Sequence, residues 1–240
     1  MHYGIIAAGE GSRLVQEGVQ WPKPLVRLQG VPMVQRLMQI MTDCRAESIS
    51  IIVNEQMHQV QEFVRRLAAE SPVPVRLVVK STPSSMHSFW ELSRVMGREG
   101  KFILTTVDTI FREEDFARYE KAFEASDADA LMAVTDYIDD EKPLYVATDP
   151  DLKVTAFLDR PAEGVRYISG GIYGLTPKAF TVLEHCIESG VSRMRNFQRA
   201  LVSEGLDVRA FPLGKILDVD HAGDIEKAEA FLAGETKYKD

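Results

Sequence analysis

Five short, β-rich apolar runs alternate with helix-period segments through the first half of the chain. That alternation restricts the fold more than any other feature. Tyr3–Ala8, Ser48–Asn54, Val75–Lys80, Phe102–Val107 and Ala130–Thr135 read as buried strands. Between them, Val34, Leu37, Met38 and Met41 recur at helical spacing behind Pro32, and Met57–Ala69 and Glu114–Ala125 are further helix candidates. Strands separated by helices form βαβ units, so a mainly parallel sheet covered on both faces is expected. The second half changes character. Leu144–Thr148, Val154–Leu158 and Arg166–Leu175 are strand-like with no helix between them, and Asp149-Pro150-Asp151-Leu152 is a turn signal. An antiparallel insert at about 140–175 is therefore expected beside the parallel sheet. Helices resume at Thr176–Glu188 and at Arg193–Glu204, the latter stopped by Gly205. Leu206–Phe211 and Ile216–Asp220 read as strands and Ala222–Leu232 as a closing helix. The expected fold class is α/β: a single three-layer αβα domain over 1–234, with 235–240 a frayed tail.

The formal net charge of -8 over 240 residues argues against broad nucleic-acid binding, which calls for a basic stripe, but leaves room for a local anion pocket. Cys44 and Cys186 are far apart without metal-ligand spacing, and read as free thiols of a reducing compartment. No apolar run approaches the ~20 residues that span a bilayer, and no basic n-region precedes residues 4–8. A cytoplasmic protein without a membrane partner is expected. The oligomeric state is not readable.

The first strand runs into Gly9-Glu10-Gly11-Ser12-Arg13-Leu14. Glycines let backbone N–H groups approach phosphate oxygens. A dinucleotide fingerprint needs a third glycine where Leu14 stands, and Gly18, Pro22, Pro24, Gly30 and Pro32 forbid a helix across 15–32. A long functional loop is expected instead. It contains Trp21-Pro22-Lys23-Pro24-Leu25, in which two prolines restrict the backbone around Lys23. Arg13 and Lys23 are thus two cations on one glycine-rich loop, suited to a polyphosphate.

The Ala7-Ala8-Gly9-x-Gly11-Ser12-Arg13-Leu14 run followed by Pro22-Lys23-Pro24-Leu25 resembles the sugar-phosphate nucleotidyltransferases. The resemblance implies a Rossmann-like fold of the nucleotide-diphospho-sugar transferase type. It also implies transfer of a nucleoside monophosphate from a nucleoside triphosphate to a phosphorylated sugar or similar acceptor, with release of pyrophosphate. Ala7, Ala8, Gly9, Gly11, Ser12, Arg13 and Lys23 then fall on the nucleotide, with Arg13, Lys23 and Asp108 as the catalytic set.

An attacked triphosphate needs a divalent cation, and Mg²⁺ prefers carboxylates, water and substrate phosphates. Asp108 follows the strand Phe102–Val107, at the end where open α/β sheets bind ligands. Val107-Asp108-Thr109-Ile110-Phe111 resembles the family's metal-binding stretch, with Val107 in place of a glycine and Thr109 in place of an asparagine. Leu217-Asp218-Val219-Asp220-His221 resembles the family's closing motif, so Asp218 and Asp220 join Asp108 as implied Mg²⁺ ligands. Asp224, at the third position of the last helix, is read as a structural cap.

On the acceptor side, Phe157-Leu158-Asp159-Arg160-Pro161 resembles the family's acceptor-binding turn, with Asp159 for sugar hydroxyls and Arg160 for the acceptor phosphate. Tyr167-Ile168-Ser169-Gly170-Gly171-Ile172-Tyr173 resembles the adjoining strand, where Gly170 and Gly171 imply close approach of a backbone or ligand. Val146 stands where the family has a sugar-contacting glycine. Ser81–Ser88 departs from the family's usual apolar glycine-rich stretch and is closer to the phosphocholine cytidylyltransferase branch. Ser84 or Ser85 would cap a helix there, and Ser85 and His87 are placed on the nucleotide side. Arg193 and Arg195 open the later helix, where one could reach an anionic acceptor, though a solvated helix start is the simpler reading. Two rival functions share the fold: a glycosyltransferase using Asp127-Ala128-Asp129 as its metal motif, and a non-catalytic nucleotide-binding paralogue.

Overall fold

The computed structural model describes residues 1–234, so the tail expected at 235–240 lies outside the described residues. The chain order is β1 (His2–Ala7), α1 (Ser12–Gln16), a 3-10 turn (Lys23–Leu25), β2 (Arg27–Leu28), β3 (Val31–Pro32), α2 (Met33–Asp43) and β4 (Ser48–Val53). It continues with α3 (His58–Glu70), β5 (Val75–Val79), α4 (Ser85–Ser93), β6 (Phe102–Thr106), β7 (Thr109–Ile110), α5 (Glu113–Ala125) and β8 (Ala130–Thr135). It ends with β9 (Tyr145–Thr148), β10 (Val154–Leu158), β11 (Tyr167–Leu175), α6 (Lys178–Glu188), α7 (Met194–Ser203), β12 (Val208–Pro212), β13 (Leu217–Asp218) and α8 (Ala222–Ala233).

The main sheet runs β5-β4-β1-β6-β11-β8-β12. All pairs are parallel except the two made by β11. The hairpin β9–β10 extends the sheet from the N-terminal end of β11. The antiparallel part expected at about 140–175 is present and continuous with the main sheet: Ile172–Leu175 pairs with β6 in its centre.

Alternation along the strands builds two apolar layers. Tyr3, Ile5 and Ala7 of β1 face a core shared with α2, α3, α5 and α8, whereas Ile6 and Ala8 face one shared with α4, α6 and α7. Successive side chains of a strand point to opposite faces, so one buried strand feeds both layers. The second layer centres on Phe102 stacked on Phe180 at 4.7 Å, with Phe89 edge-on to Phe197 at 5.5 Å. Each such pair adds about 0.5–1.5 kcal/mol beyond the burial of its area. Among the described residues, no helix is long and apolar enough to cross a membrane. Both cysteines are free thiols.

The fully buried Tyr119 ties α5 to the sheet. Its hydroxyl donates to the Leu131 carbonyl at 2.6 Å and accepts from the Gly174 amide at 2.5 Å. Tyr119→Phe removes a hydrogen bond from each of two buried backbone groups, a loss of about 1–3 kcal/mol that chemical denaturation should register.

Two pairings bring the loop after β1 and the acidic residues to one edge of the sheet. Ile6 of β1 lies opposite Thr106 of β6, so that loop and Asp108 leave the sheet side by side. The two-residue ribbon β7–β13 pairs Asp218 with Thr109 and brings the 218–220 segment beside Asp108.

Candidate active site

The loop after β1 is not wholly irregular. One turn of helix, α1, starts inside the glycine motif at Ser12 and ends before Gly18. The bar to helix over 15–32 therefore acts only from Glu17 onward. Gly11 takes φ +63°, and a Cβ there would lie 2.9 Å from Lys23 Cβ. Glycine is needed for both reasons. Pro22 then directs the chain into a tight turn, with Leu25 N–H donating to Pro22 O at 2.8 Å and Val26 N–H to Lys23 O at 3.2 Å. The turn fixes Lys23 under the loop.

The Lys23 ammonium, only 11% exposed, donates to Asp108 Oδ2 and to Asp220 Oδ1, the latter at 2.7 Å. Burial opposes its charge, but Asp108 and Asp220 outweigh burial and hold its pKa above the ordinary lysine value. Arg13 reaches the other oxygen of Asp220 at 3.4 Å from a half-exposed position. The structure thus brings Arg13, Lys23, Asp108 and Asp220 together.

Asp218 sits on the cleft floor beside them. Desolvation by the cleft walls first, then the negative charges of Asp108, Asp220 and Asp140, push its carboxyl above the usual carboxylate range, and Lys23 only partly offsets them; the residue itself is exposed to the cleft, so solvent screening moderates the shift. Among the described residues, no three acidic, histidine or cysteine groups close into a metal cage. An open pair fits Mg²⁺, which commonly uses one or two carboxylates and completes its shell with water and substrate phosphates. Asp108 and Asp218 have that chemistry. Asp220 is engaged by two cations instead.

A cleft of about 710 Å³ opens over this group. Ala8, Gly9, Gly11, Ser12, Lys23, Ser85 and Asp108 line it, as does Asp218. Ala7 does not: its side chain is buried in the core under α2 and α3. His87 also turns away, with ring Nδ1 2.9 Å from the hydroxyl of Ser84, the residue that caps α4. Arg13 lines a neighbouring small cavity with Asp220. Sequence reasoning missed Asn54, Ser81, Thr82 and Thr106 on the cleft wall. Asn54 is buried, donating to Ala8 O at 3.2 Å and accepting from Ser81 Oγ at 2.9 Å. It directly follows β4 (Ser48–Val53), as Asp108 follows the strand Phe102–Thr106 by two residues, so the rule that marked Asp108 also applies to it.

On the acceptor side, Asp159 is claimed by Arg195 at 2.7 Å and Arg199 at 2.8 Å. Hydrogen bonds from Arg199 and Arg195 hold its carboxyl below the usual range. Arg160 is exposed, and no ion pair holds it among the described residues. Gly170 and Gly171 lie where β11 bulges away from β8. A Cβ on Gly171, at φ +73°, would lie 2.7 Å from Thr109 Oγ1, and one on Gly170 would lie 2.3 Å from Ile216 Cδ1. The close approach is that of the β7–β13 ribbon. Val107 and Val146, the two departures from glycine, are buried core residues.

Asp224 caps α8, accepting from His221 N–H at 2.8 Å and Asp220 N–H at 3.2 Å. His221 bonds Glu17 at 2.6 Å. Asp129 lies at the opposite end of the sheet, before β8, paired with Lys178 at 2.7 Å. The structure therefore gives the Asp127-x-Asp129 spelling no place near Asp108.

The Gly11→Ala variant tests the loop. A left-handed alanine costs about 1–2 kcal/mol and must push Lys23 aside. Any activity of this site that relies on Lys23 is expected to fall about 10–10²-fold, beyond what the stability loss explains, because small displacements of a positioned group are costly. Parallel kinetics and thermal melts separate the two effects.

The nucleotidyl transferase sequence family matches residues 4–232. Mannose-1-phosphate guanyltransferase of Schizosaccharomyces pombe is 24% identical over 184 residues, 75% of this chain and 51% of the relative. A bifunctional IPC transferase and DIPP synthase of Aquifex aeolicus is 25% identical over 238 residues, 95% of this chain and 51% of the relative. The chain thus spans about half the length of these relatives. Among solved structures, the inositol-1-phosphate CTP transferase from T. maritima superposes with a TM-score of 0.81 at 20% identity, covering 99% of this chain and 96% of that one. A structure described as a putative glucose-1-phosphate thymidylyltransferase from Bacillus anthracis, in complex with a sucrose, gives 0.82 at 20% identity over 100% and 98%. These two share the fold, and the family match, spanning nearly the whole described chain, shows that this protein belongs to the nucleotidyl transferase family.

Proposed function

We propose that the protein transfers a nucleoside monophosphate from a nucleoside triphosphate to the phosphate of a sugar or similar small alcohol, with Mg²⁺ and release of pyrophosphate. An oxygen of the acceptor phosphate attacks the α-phosphorus in line. The new P–O bond forms as the bond to the bridging oxygen of the β-phosphate breaks, and the electron pair leaves with pyrophosphate. One observation carries the reading: a buried lysine, fixed by a proline-flanked turn, meets acidic residues from two distant segments beneath a glycine loop.

In this mechanism the amides of Gly9–Ser12 cradle the β- and γ-phosphates, and Arg13 neutralises their outer charge. Lys23 leaves one of its carboxylates to meet charge growing at the α-phosphate. Asp108 and Asp218 would hold Mg²⁺, with Asp220 keeping Lys23 and Arg13 in place. The bound ion supplies charge neutralisation and a template for the phosphates. The protein's part is positioning and electrostatic preorganisation. A cytoplasmic location suits the two free thiols. The glycosyltransferase rival is not favoured, given the position of Asp129.

The test is pyrophosphate release with Mg²⁺ and each nucleoside triphosphate, paired with mannose, glucose and inositol 1-phosphates. These acceptors are chosen because the names of the similar proteins include them. Release dependent on both substrates is expected. A folded, Mg²⁺-supplied sample that binds nucleotide without turnover would favour the non-catalytic paralogue.

A further inference from the structure

Two cavities continue from the nucleotide cleft toward α7. The nearer, about 250 Å³, reaches Ser85, Thr106 and Asp218, all of which also line the nucleotide cleft. The farther, about 710 Å³, is bounded by Asp159 and Pro161 of the hairpin turn. Lys142, Arg193 and Arg195 line both. An anion held at that junction faces the floor where an α-phosphate would be attacked. Arg160 lines neither cavity.

The arginines there are not equivalent. Arg195 and Arg199 converge on one oxygen of Asp159 at 2.7 and 2.8 Å. Each has further partners: Arg195 donates to Lys142 O at 2.9 Å, and Arg199 to Phe157 O at 3.1 Å and Asn196 Oδ1 at 2.9 Å. These two are built into the wall. The Arg193 guanidinium, by contrast, has no hydrogen bond or ion pair among the described residues, and it is exposed to the shared space.

Its backbone is unusual as well. Arg193 takes φ +73° and ψ 140°, a region that glycine tolerates and arginine does not. Gly190, three residues earlier, serves the other positive-φ position of this loop. The Arg193 N–H donates to Ser84 Oγ at 3.3 Å, which ties it to the cap of α4 and so to the nucleotide side. A strained arginine, free at its tip and anchored at its backbone, is explained by a ligand for the guanidinium.

We propose that Arg193 binds the phosphate of the acceptor, so that this chain grips the acceptor anion from α7 and not from the hairpin turn at Arg160. The inference rests on the proposed phosphorylated acceptor. The planar fork of Arg193 suits a phosphate monoester, and Asp159, with both its arginines, is a positioning group and no longer a sugar contact.

Calorimetric titration of inorganic phosphate and of glucose 1-phosphate into the wild type, Arg193→Gly, Arg193→Lys and Arg160→Ala tests this. Arg193→Gly removes the cation while relieving the backbone. It is expected to weaken both ligands about 10- to 100-fold, the range of one charge-assisted hydrogen-bond set, without lowering Tm. Arg193→Lys should fall between, and Arg160→Ala should stay within about twofold of wild type. Loss in Arg160→Ala with retention in Arg193→Gly overturns the proposal. So does a wild type that binds neither phosphate ligand. Nucleoside triphosphate is titrated into the same samples: its failure to bind the wild type would sink the donor half of the proposed function and leave the Arg193 comparison readable.

Discussion

Lys23→Met is expected to lower nucleotidyl transfer by about 10²–10³-fold, the usual cost of removing one preorganised charge from a transition state. Methionine keeps the length of the stem and deletes only the ammonium. Asp108 and Asp220 then lose the cation that joins them, and Asp218 loses the positive charge that partly offsets its acidic neighbours. Stability should fall too, by about 1–3 kcal/mol, since the buried lysine is removed while Asp220 keeps partial access to water. The two effects can be parted. Lys23→Met combined with Asp220→Asn leaves a single carboxylate, Asp108, without the cation, so it should recover part of the stability in urea titrations while activity stays lost. Recovery of activity in the double variant would show that Lys23 only balances charge and takes no part in transfer.

Asp218→Asn should move stability and activity in opposite directions. The carboxyl of Asp218 is raised by desolvation against the cleft walls and by Asp108, Asp220 and Asp140, an effect that its exposure to the cleft moderates. A group whose folded pKa lies above its unfolded value loses stability for the fold as pH rises through the folded value, and has no such effect below the unfolded one. Asparagine removes that penalty. Tm of the variant should exceed wild type at neutral and alkaline pH, by about 2–4 °C for each kcal/mol relieved, and the gap should close toward pH ~4. Activity should fall by about 10³-fold if the residue holds Mg²⁺. Mg²⁺ gives a second readout: it should raise the wild-type Tm and leave the variant unmoved, because only a native state that binds the ion gains from it. Equal Mg²⁺ shifts in both proteins would remove Asp218 from the metal site.

The sequence carried the layered α/β architecture because period-2 and period-3.6 patterns are local and four of the five early strands are buried on both faces; Val75–Val79, expected to be buried too, is half exposed because it forms the edge of the sheet. The five early strands and the helices behind them occur within one or two residues of their expected bounds. It also carried the glycine loop and its cations, since Gly11 and the prolines around Lys23 encode backbone angles directly. It placed Asp108 by the strand-end rule, but that rule was not extended to Asn54, which follows its strand in a similar way.

The neighbours of these residues were not legible. Nothing local in Leu217-Asp218 announces a two-residue ribbon with Thr109-Ile110, yet that pairing sets Asp218 beside Asp108 across more than a hundred residues. Glycines 170 and 171 signalled a close approach, but only packing showed that Ile216 and Thr109 fill it. Arg160 and Arg193 are both plain arginines in the sequence. The fold leaves one on an exposed turn and sets the other at the mouth of two cavities. Backbone angles and apolar period are written residue by residue, whereas the convergence of charges is a sum over distant segments that exists only once the sheet has closed.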